Sequence, residues 1–336
     1  MKIGFFELEG WEKEVIKNTF AGHDLYFSSE KISEDSLPTR RDFDIISIFV
    51  NSQITTGVLD AFPNLKLLTT NSTGFDHINI SACKTKGVAV GYVPGYGNNT
   101  VAEFAFGLIL NLTRKIYQAI NQIKERELFS FEGLRGIDLK GKNIGIIGTG
   151  RIGKEMVKIS KGFGMNVSAF DLFKDEAAAK EMGFSYLSLE DLLKQSDVIS
   201  VHLPLTEETH HLINMKNVGL IKKGAYFVNT ARGPIVETAA LVFALQSGVL
   251  AGAGLDVLEE EGAIKDEMKF LGEAASHEEE LKIMLENHVL MRMPNVLITP
   301  HNAFNSNEAL LRILNTTFEN INGFLTNNRN PKNFVA

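Results

Sequence analysis

Short apolar runs alternate with amphipathic stretches along most of the chain. In the first hundred residues four apolar runs predict buried parallel strands, over residues 2–8, 44–50, 65–70 and 88–93. The stretches between them predict helices over residues 11–20, 56–62 and 79–86. A second series predicts strands over residues 143–147, 166–171, 197–203, 225–230, 250–257 and 296–299. Strands that alternate with helices indicate an α/β protein with two doubly wound parallel sheets.

The connections between the two series predict how the domains are divided. A long apolar helix over Thr100–Ile116 follows the turn-rich segment Pro94–Asn99, which is typical of a hinge. A last helix, over Glu308–Leu325, comes after the second series has ended and is expected to return to the first domain. A chain of 336 residues is long enough for two domains. We therefore predict one discontinuous domain of residues 1–99 and 301–336, and a second domain of residues 100–300.

The charges argue against two classes of partner. The chain is 44% hydrophobic and 22% charged, as in soluble globular proteins, and its formal net charge is −7. Residues 259–280 carry nine acidic side chains against Lys265 and Lys269, so this segment holds the whole net charge. No basic stripe is present for nucleic acid or for an anionic membrane, and neither is expected as a partner.

The lack of a recognisable signal peptide or membrane span, together with the single cysteine, favours a cytoplasmic location. Acidic residues interrupt the apolar N-terminus, which is too short for a signal peptide. The longest apolar stretch, Val101–Leu112, contains Glu103 and is too short to span a bilayer. Cys83 is the one cysteine, so it cannot form an intrachain disulfide, and we expect it to fill a core position in a reducing compartment.

A glycine-rich turn predicts a dinucleotide site. The apolar strand from Asn143 runs into Gly148-x-Gly150-x-x-Gly153, and the next strand ends at Asp171, 18 residues after Gly153. Gly148 suits the tight turn, Gly150 lets the backbone approach a pyrophosphate, and Gly153 lets the helix pack closely on the strand. A carboxylate at the end of the second strand binds ribose hydroxyls and repels a 2′-phosphate, which favours NAD over NADP.

Four ionisable residues at or shortly after strand ends are candidates for the chemistry. His301 follows Pro300 at the end of the last strand and could exchange a proton with substrate, or could be a structural histidine; His202 also ends a strand. Arg232 ends a buried strand, where it could bind a substrate carboxylate or form an ion pair with Glu237 or Asp256. Glu261 opens the acidic run and, on the residues alone, is more typical of a solvated surface acid.

Seven segments in order resemble the D-isomer-specific 2-hydroxyacid dehydrogenases over essentially the full length. They are Ser72–His77, Asn99–Phe104, Gly145–Gly153, His202–Thr206, Asn229–Gly233, Ala253–Val257 and Thr299–Ala303. The resemblance implies a flavodoxin-like substrate domain and a Rossmann NAD domain with a cleft between them. It implies that Arg232 anchors the substrate carboxylate, that His301 exchanges the proton, and that Glu261 orients His301 and favours its protonated form.

The resemblance also assigns cofactor and substrate contacts. Asp256 would hold the nicotinamide carboxamide, and the remaining NAD contacts would come from Thr100, Gly148, Gly150, Arg151, Ile152, Gly153, Asp171, His202, Pro204, Thr230 and Ala231. The segments around Tyr96 and Phe304 look most like the D-lactate and D-2-hydroxyisocaproate branch. Tyr96 would then reach the substrate, the amides of Thr73 and Gly74 would bind its carboxylate, and Phe304 and Phe49 would wall the side-chain pocket. Hinge packing for Tyr96 and ordinary core positions for both Phe residues are the alternatives.

These expectations lead to an NADH-linked reduction of a small 2-oxo acid to its D-2-hydroxy acid, with pyruvate and D-lactate favoured. Glyoxylate or hydroxypyruvate reductase is the alternative within the family, and an NADH-sensing corepressor is the alternative outside enzymes. No metal site is expected. The resemblance implies a homodimer formed through the NAD domains, with which the apolar helix from Val101 is compatible.

The sequence departs from the family pattern at several positions. Pro234 and Glu237 replace the usual Gly and Asp, Gly262 follows Glu261 where Pro is common, and residues 262–294 are longer than usual. The long acidic segment could be a lid or a solvated helical surface segment.

Overall fold

The computed structural model describes residues 1–262 and 278–336, which form two compact units. Unit 1 comprises Met1–Tyr96 and Ser306–Ala336, and unit 2 comprises Gly97–Asn305. His301 therefore belongs to unit 2. Residues 263–277 of the acidic insert, with the alternatives of lid or surface segment that concern them, lie outside the described residues.

Unit 1 is built on a five-stranded parallel sheet with the strand order β2-β1-β3-β4-β5. Its strands are β1 (Lys2–Phe5), β2 (Asp24–Phe27), β3 (Ile45–Ile48), β4 (Leu67–Thr70) and β5 (Ala89–Gly91). Its helices are α1 (Glu12–Thr19), α2 (Thr56–Asp60), α3 (Ile80–Thr85) and α11 (Asn307–Leu325). This order is the flavodoxin-like one, in which the chain reverses direction across the sheet between β1 and β3.

Both faces of this sheet are buried because the side chains of each strand alternate between them. Ile46 and Leu68 pack on one face with residues of α2 and α3, including Cys83, which is buried as predicted. Ile3 and Leu67 pack on the other face with α1 and α11. Strands buried on both faces carry nearly continuous apolar runs, which is why the sequence revealed them.

Unit 2 is built on a seven-stranded parallel sheet with the order β12-β11-β10-β9-β6-β7-β8. Its strands are β6 (Asn143–Ile147), β7 (Asn166–Phe170), β8 (Ser185–Tyr186), β9 (Val198–Val201), β10 (Ala225–Asn229), β11 (Leu250–Leu255) and β12 (Val296–Ile298). Its helices are α4 (Asn98–Arg114), α5 (Ile116–Arg126), α6 (Arg151–Gly162), α7 (Glu176–Met182), α8 (Leu189–Gln195), α9 (Thr238–Gln246) and α10 (Glu278–Arg292). The sheet reverses between β6 and β9, as in Rossmann domains. The prediction of two doubly wound parallel sheets is confirmed.

Helices cover both faces of the second sheet. The apolar side of α4, including Ala105 and Ile109, packs with α6 on one face. Leu192 of α8 and Leu241 of α9 pack on the other. On the sequence alone, the apolar residues of this helix are compatible with a subunit contact. In the structure they pack in the core of unit 2 instead.

Three features differ from the sequence prediction. Strands β2 and β8 were missed; both are short, lie at sheet edges and are only partly buried. The predicted helix over residues 100–116 begins at Asn98 and ends at Arg114, since Lys115 adopts a left-handed conformation (φ 52°) and separates it from α5.

Among the described residues, no helix combines the length and the apolar character that a bilayer crossing requires.

Candidate active site

Most of the predicted cofactor and catalytic residues lie at one edge of the sheet in unit 2. Its strands are all parallel, so their carboxyl ends meet at the same edge. There Gly148 follows β6, Asp171 follows β7 and His202 follows β9. The segment to Arg232 follows β10, Asp256 follows β11, and the turn with His301 follows β12. Residues that are far apart in sequence are therefore brought to the edge where open α/β sheets bind ligands.

The glycine-rich turn has the geometry that the sequence predicted. Gly148 adopts φ +101°, and a Cβ there would lie 2.7 Å from the carbonyl carbon of His202. A Cβ on Gly153 would lie 2.0 Å from the carbonyl oxygen of Gly148, so only glycine lets α6 pack this closely on β6. Gly150 precedes α6 and has nothing within 4 Å of its Cβ position among the described residues. Its lack of a side chain therefore leaves open space beside the N-terminus of the helix.

The acid at the end of β7 is held by the same turn. Asp171 Oδ2 accepts hydrogen bonds from the Thr149 amide (2.6 Å) and the Thr149 hydroxyl (3.0 Å), and Oδ1 accepts one from the Phe173 amide (2.9 Å). Thr149 is itself within 2.7 Å of the Tyr186 hydroxyl. The carboxylate is thereby oriented while it remains partly exposed.

Two buried polar atoms at this edge have no hydrogen-bond partner among the described residues. They are Nδ1 of His202 and Oγ1 of Thr230. The other ring nitrogen of His202 lies 2.9 Å from the Ser200 hydroxyl, and burial lowers the pKa of His202 to about 4. His202 is therefore neutral near pH 7. Buried polar atoms usually have a hydrogen-bond partner, and a ligand bound at this edge of the sheet would supply one for both atoms.

Other predicted cofactor contacts differ in exposure. Thr100 is buried in the first turn of α4, and Ile152 is partly buried in α6. Arg151, the first residue of α6, and Pro204, after β9, are exposed.

Arg232 is positioned by the residue that ends β10. The side chain of Asn229 accepts a hydrogen bond from the Ala231 amide (3.0 Å) and donates one to the Arg232 carbonyl oxygen (2.9 Å). One guanidinium nitrogen of Arg232 donates to the Ala231 carbonyl oxygen (2.7 Å). Glu237, one of the alternative ion-pair partners, accepts a hydrogen bond from the Met215 amide (2.8 Å).

Asp256 fixes the turn that carries His301. Its carboxylate accepts hydrogen bonds from the Thr299 hydroxyl, from the Asn302 amide (2.8 Å) and from the Ala303 amide (2.8 Å). Its carbonyl oxygen accepts a further bond from the His301 amide (2.8 Å). Burial raises the pKa of Asp256, and these hydrogen bonds oppose that rise. The predicted pocket residue Phe304 comes directly after this turn and is partly buried.

The structure brings Glu261 and His301 together. Oε2 of Glu261 lies 3.1 Å from Nδ1 of His301, and Oε1 accepts a hydrogen bond from the Leu258 amide (3.1 Å). His301 adopts a left-handed backbone conformation (φ 54°), which is uncommon outside glycine and costs free energy. Because the carboxylate engages Nδ1, a further partner of the ring would have to use Nε2.

The segment after Arg232 packs against the segment that carries Glu261. A Cβ on Gly233 would lie 2.0 Å from the carbonyl carbon of Leu258 and 2.4 Å from the amide nitrogen of Glu259. Two main chains can approach this closely only where one of them carries glycine. The backbones that bear Arg232 and Glu261 are therefore in direct contact.

The four predicted substrate contacts of unit 1 lie after the carboxyl ends of its strands. Phe49 follows β3, and Thr73 and Gly74 follow β4. The Thr73 hydroxyl donates to the Val93 carbonyl oxygen (2.7 Å). Tyr96 comes after β5, and its carbonyl oxygen accepts a hydrogen bond from Arg312 of α11 (2.6 Å).

A family model for the NAD-binding domain of D-isomer-specific 2-hydroxyacid dehydrogenases matches residues 106–303. The chain belongs to the D-isomer-specific 2-hydroxyacid dehydrogenase family. The dehydrogenase is 38% identical to 2-hydroxyacid dehydrogenase A of Aspergillus oryzae over 335 residues, which cover 97% of this chain and 92% of that protein. It is 38% identical to a glyoxylate reductase of Thermofilum pendens over 294 residues, covering 86% and 80% of the two chains.

A solved structure extends the similarity to the fold. The crystal structure of D-lactate dehydrogenase from Aquifex aeolicus complexed with NAD and lactic acid superposes with a TM-score of 0.85 at 35% identity, covering 99% of each chain. The resemblance inferred from the seven sequence segments is confirmed. The dehydrogenase is an NAD-dependent oxidoreductase.

The residues of the dehydrogenase fit NAD. The open space beside Gly150 and the partly exposed Asp171 carboxylate suit a pyrophosphate and ribose hydroxyls, respectively. The unpartnered Nδ1 of His202 and Oγ1 of Thr230 supply further polar groups at the same edge.

Two carboxylates of the dehydrogenase that organise loops were missed in the sequence. Glu7, at φ 59°, accepts hydrogen bonds from the amides of Phe49, Asn51 and Ser52, and so shapes the loop after β3. Glu259 is buried two residues before Glu261. An acid between apolar residues, as Glu7 is between Phe6 and Leu8, was the available signal for the first. No comparable signal in the sequence marks Glu259, because it is the first of three consecutive glutamates.

Proposed function

We propose that the dehydrogenase interconverts a small 2-oxo acid and its D-2-hydroxy acid, with pyruvate and D-lactate as the pair. The observation that carries this proposal is the hydrogen bond between Glu261 and His301, on a segment whose backbone touches the one bearing Arg232. This arrangement supplies a proton donor, a carboxylate that orients it and a guanidinium for the substrate carboxylate.

His301 acts as the general acid in reduction. Protonated at Nε2, it donates to the carbonyl oxygen of the substrate as negative charge develops there, and Glu261 stabilises the imidazolium through Nδ1. In oxidation neutral His301 accepts the hydroxyl proton. The chemistry that bound NADH supplies is a hydride for C2 of the 2-oxo acid.

Arg232 binds the substrate carboxylate with its planar, two-pronged guanidinium and polarises the adjacent carbonyl group. The amides of Thr73 and Gly74 add donors for the same carboxylate, and Tyr96 contacts the substrate. Phe49 and Phe304 limit the space for the substrate side chain, which favours a methyl group as in pyruvate.

NAD is held by the glycine-rich turn from Gly148, by Asp171 at the ribose and by Asp256 at the carboxamide. The N-terminus of α6, which begins at Arg151, directs its amides to the pyrophosphate. Thr100, Ile152, His202, Pro204, Thr230 and Ala231 complete this site.

Steady-state kinetics with NADH against a panel of 2-oxo acids tests the substrate. The panel comprises pyruvate, 2-oxoisocaproate, phenylpyruvate, glyoxylate and hydroxypyruvate. We expect the highest kcat/KM with pyruvate, by at least about tenfold over phenylpyruvate, because aromatic walls exclude a larger side chain. A preference for the bulky acids would contradict the proposed pocket.

Glyoxylate or hydroxypyruvate reduction is the second candidate. The observation in its favour is the 38% identity to the Thermofilum pendens glyoxylate reductase. The same panel distinguishes the two candidates, because a glyoxylate or hydroxypyruvate reductase would have its highest kcat/KM with glyoxylate or hydroxypyruvate rather than with pyruvate.

The dehydrogenase acts as a homodimer in the cytoplasm. Exposed apolar side chains on α5 and in the segment just after it support the dimer; we call them the α5 surface, which consists of Ile116, Tyr117, Ile120, Ile123, Leu128, Phe129 and Phe131. Phe129 and Phe131 are 93% and 91% exposed, which is costly for aromatic rings unless another surface covers them. The buried, unpaired Cys83 suits a reducing compartment.

Replacing Ile120, Phe129 and Phe131 together by Ser is expected to convert the dimer into a monomer of 37.2 kDa. Removing three large apolar groups from a subunit interface weakens association by several orders of magnitude. Sedimentation velocity measures the mass. Leu311→Ser, which removes an exposed apolar side chain from α11, is the control and should leave the dimer intact. A wild-type monomer at micromolar concentration would refute the proposal.

A further inference from the structure

Glu259 is a buried carboxylate that the proposed chemistry does not use. It is 5% exposed, and Oε1 lies 2.7 Å from Nε2 of His211. Oε2 accepts hydrogen bonds from the amide (2.7 Å) and the hydroxyl (2.5 Å) of Thr238, the first residue of α9. Burying a carboxylate is unfavourable unless such partners compensate it, and these three contacts stabilise the buried Glu259 side chain.

His211 connects this carboxylate to the segment after Arg232. Its amide donates to the carbonyl oxygen of Pro234 (2.8 Å), and its ring meets Glu259. His211 adopts a left-handed backbone conformation (φ 48°), which is sparsely populated for histidine and persists where surrounding contacts impose it. One residue thus joins Pro234 to Glu259.

The main chain of Glu259 is held as firmly as its side chain. Its carbonyl oxygen accepts a hydrogen bond from the buried side chain of Asn287 on α10 (2.8 Å). Its amide lies against Gly233. Helices α9 and α10 and the Gly233–Pro234 segment therefore fix the main chain just before Glu261.

We propose that Glu259 is a positioning residue for the reaction. Together with His211 it locks Leu258–Glu261 against Gly233–Pro234, and this sets where the Glu261 carboxylate meets His301. The inference rests on the proposed function, because Glu259 acts only through Glu261.

A metal ion is the alternative occupant of this cluster. The ligand atoms of His210, His211 and Glu259 lie within 4.8 Å of one another. A tetrahedral zinc ion bound at about 2.0–2.2 Å would hold its nitrogen and oxygen ligands roughly 3.3–3.5 Å apart. The 2.7 Å between His211 and Glu259 is instead a hydrogen-bond distance. We therefore expect EDTA dialysis to leave kcat unchanged, and a loss of activity that Zn²⁺ restores would overturn the positioning role.

The test compares Glu259→Gln, Glu261→Gln and the double variant, with pyruvate and saturating NADH. Glu259→Gln keeps the shape of the side chain but removes the charge that binds His211, and kcat is expected to fall about tenfold to a hundredfold, the range for losing charged hydrogen bonds. KM for NADH should stay within about twofold. In the double variant, kcat should equal that of Glu261→Gln alone, since a residue that acts only through Glu261 has no effect once Glu261 is gone.

Asp197→Asn is the matched control. Asp197 also accepts a main-chain amide, from Asn143 (2.9 Å), and pairs with Lys222 (2.7 Å), but it precedes β9, at the opposite edge of the sheet. Its kcat should stay within about twofold of wild type. Losses that multiply in the double variant, or an equal loss in Asp197→Asn, would show a general structural effect and overturn the inference. A wild-type enzyme inactive on the whole panel, or a fully active Glu261→Gln, would overturn the proposed function and the inference with it.

Discussion

His301→Gln is expected to lower kcat by about a thousandfold while leaving NADH affinity nearly unchanged. Glutamine can donate a hydrogen bond but cannot transfer a proton, and a positioned general acid contributes roughly 10²–10⁴ to the rate. The decisive measurement is single-turnover oxidation of NADH by pyruvate, with the dissociation constant of NADH obtained from fluorescence.

The left-handed backbone at His301 calls for a second variant. Asparagine tolerates this conformation better than glutamine, so His301→Asn separates loss of the proton donor from backbone strain. Both variants should be equally slow. Recovery of activity in His301→Asn, or a His301→Gln enzyme within tenfold of wild type, would remove His301 from the proton transfer.

Arg232→Lys is expected to raise KM for pyruvate at least a hundredfold and to lower kcat as well. Lysine keeps the positive charge but loses the two-pronged geometry that binds a carboxylate and polarises its neighbouring carbonyl. Losing one hydrogen bond between charged groups costs about 1.5–3 kcal/mol, and the upper end of this range corresponds to more than about a hundredfold. Initial rates over a wide pyruvate range provide both constants.

The same variant should bind NADH normally, because the change affects the substrate carboxylate alone. Arg232→Gln extends the series by removing the charge, and its kcat/KM should be lower still. If lysine performed as well as arginine, the forked geometry would have no part in substrate binding, and a simple positive charge would suffice.

Local stereochemistry explains which parts of the fold the sequence could predict. The roles of Gly148 and Gly153 follow from a positive φ and from a 2.0 Å approach to a neighbouring backbone, requirements that depend on a few consecutive residues. The central strands were visible for a different reason: each lies between two covered faces and so carries a nearly continuous apolar run. The edge strand Asp24–Phe27 was not predicted, although three of its four residues are apolar, because the run is short and its place at the sheet edge is set by pairing with β1.

The candidate site was only partly predictable, as Glu259, Glu260 and Glu261 illustrate. In sequence they are three equal acids in a charged run. In the structure Glu259 is buried between helices, Glu260 adopts a left-handed backbone (φ 52°), and Glu261 reaches His301. Residue spacing cannot predict these different environments, because Glu259 and Glu261 contact residues 21 to 48 positions away in the sequence. The resemblance to a family identified Glu261, whereas the residues alone favoured a solvated acid.

Asp256 has a consequence for substrate affinity. Hydrogen bonds from three residues of the Thr299–Ala303 turn end on its carboxylate, and a fourth bond ends on its carbonyl oxygen. A turn tied down by the protein itself loses little conformational entropy when a ligand arrives. Less of the favourable interaction energy between the enzyme and a small acid is then offset by the entropy cost of ordering the loop, so the affinity is higher. This effect is largest for a small substrate, which makes few contacts.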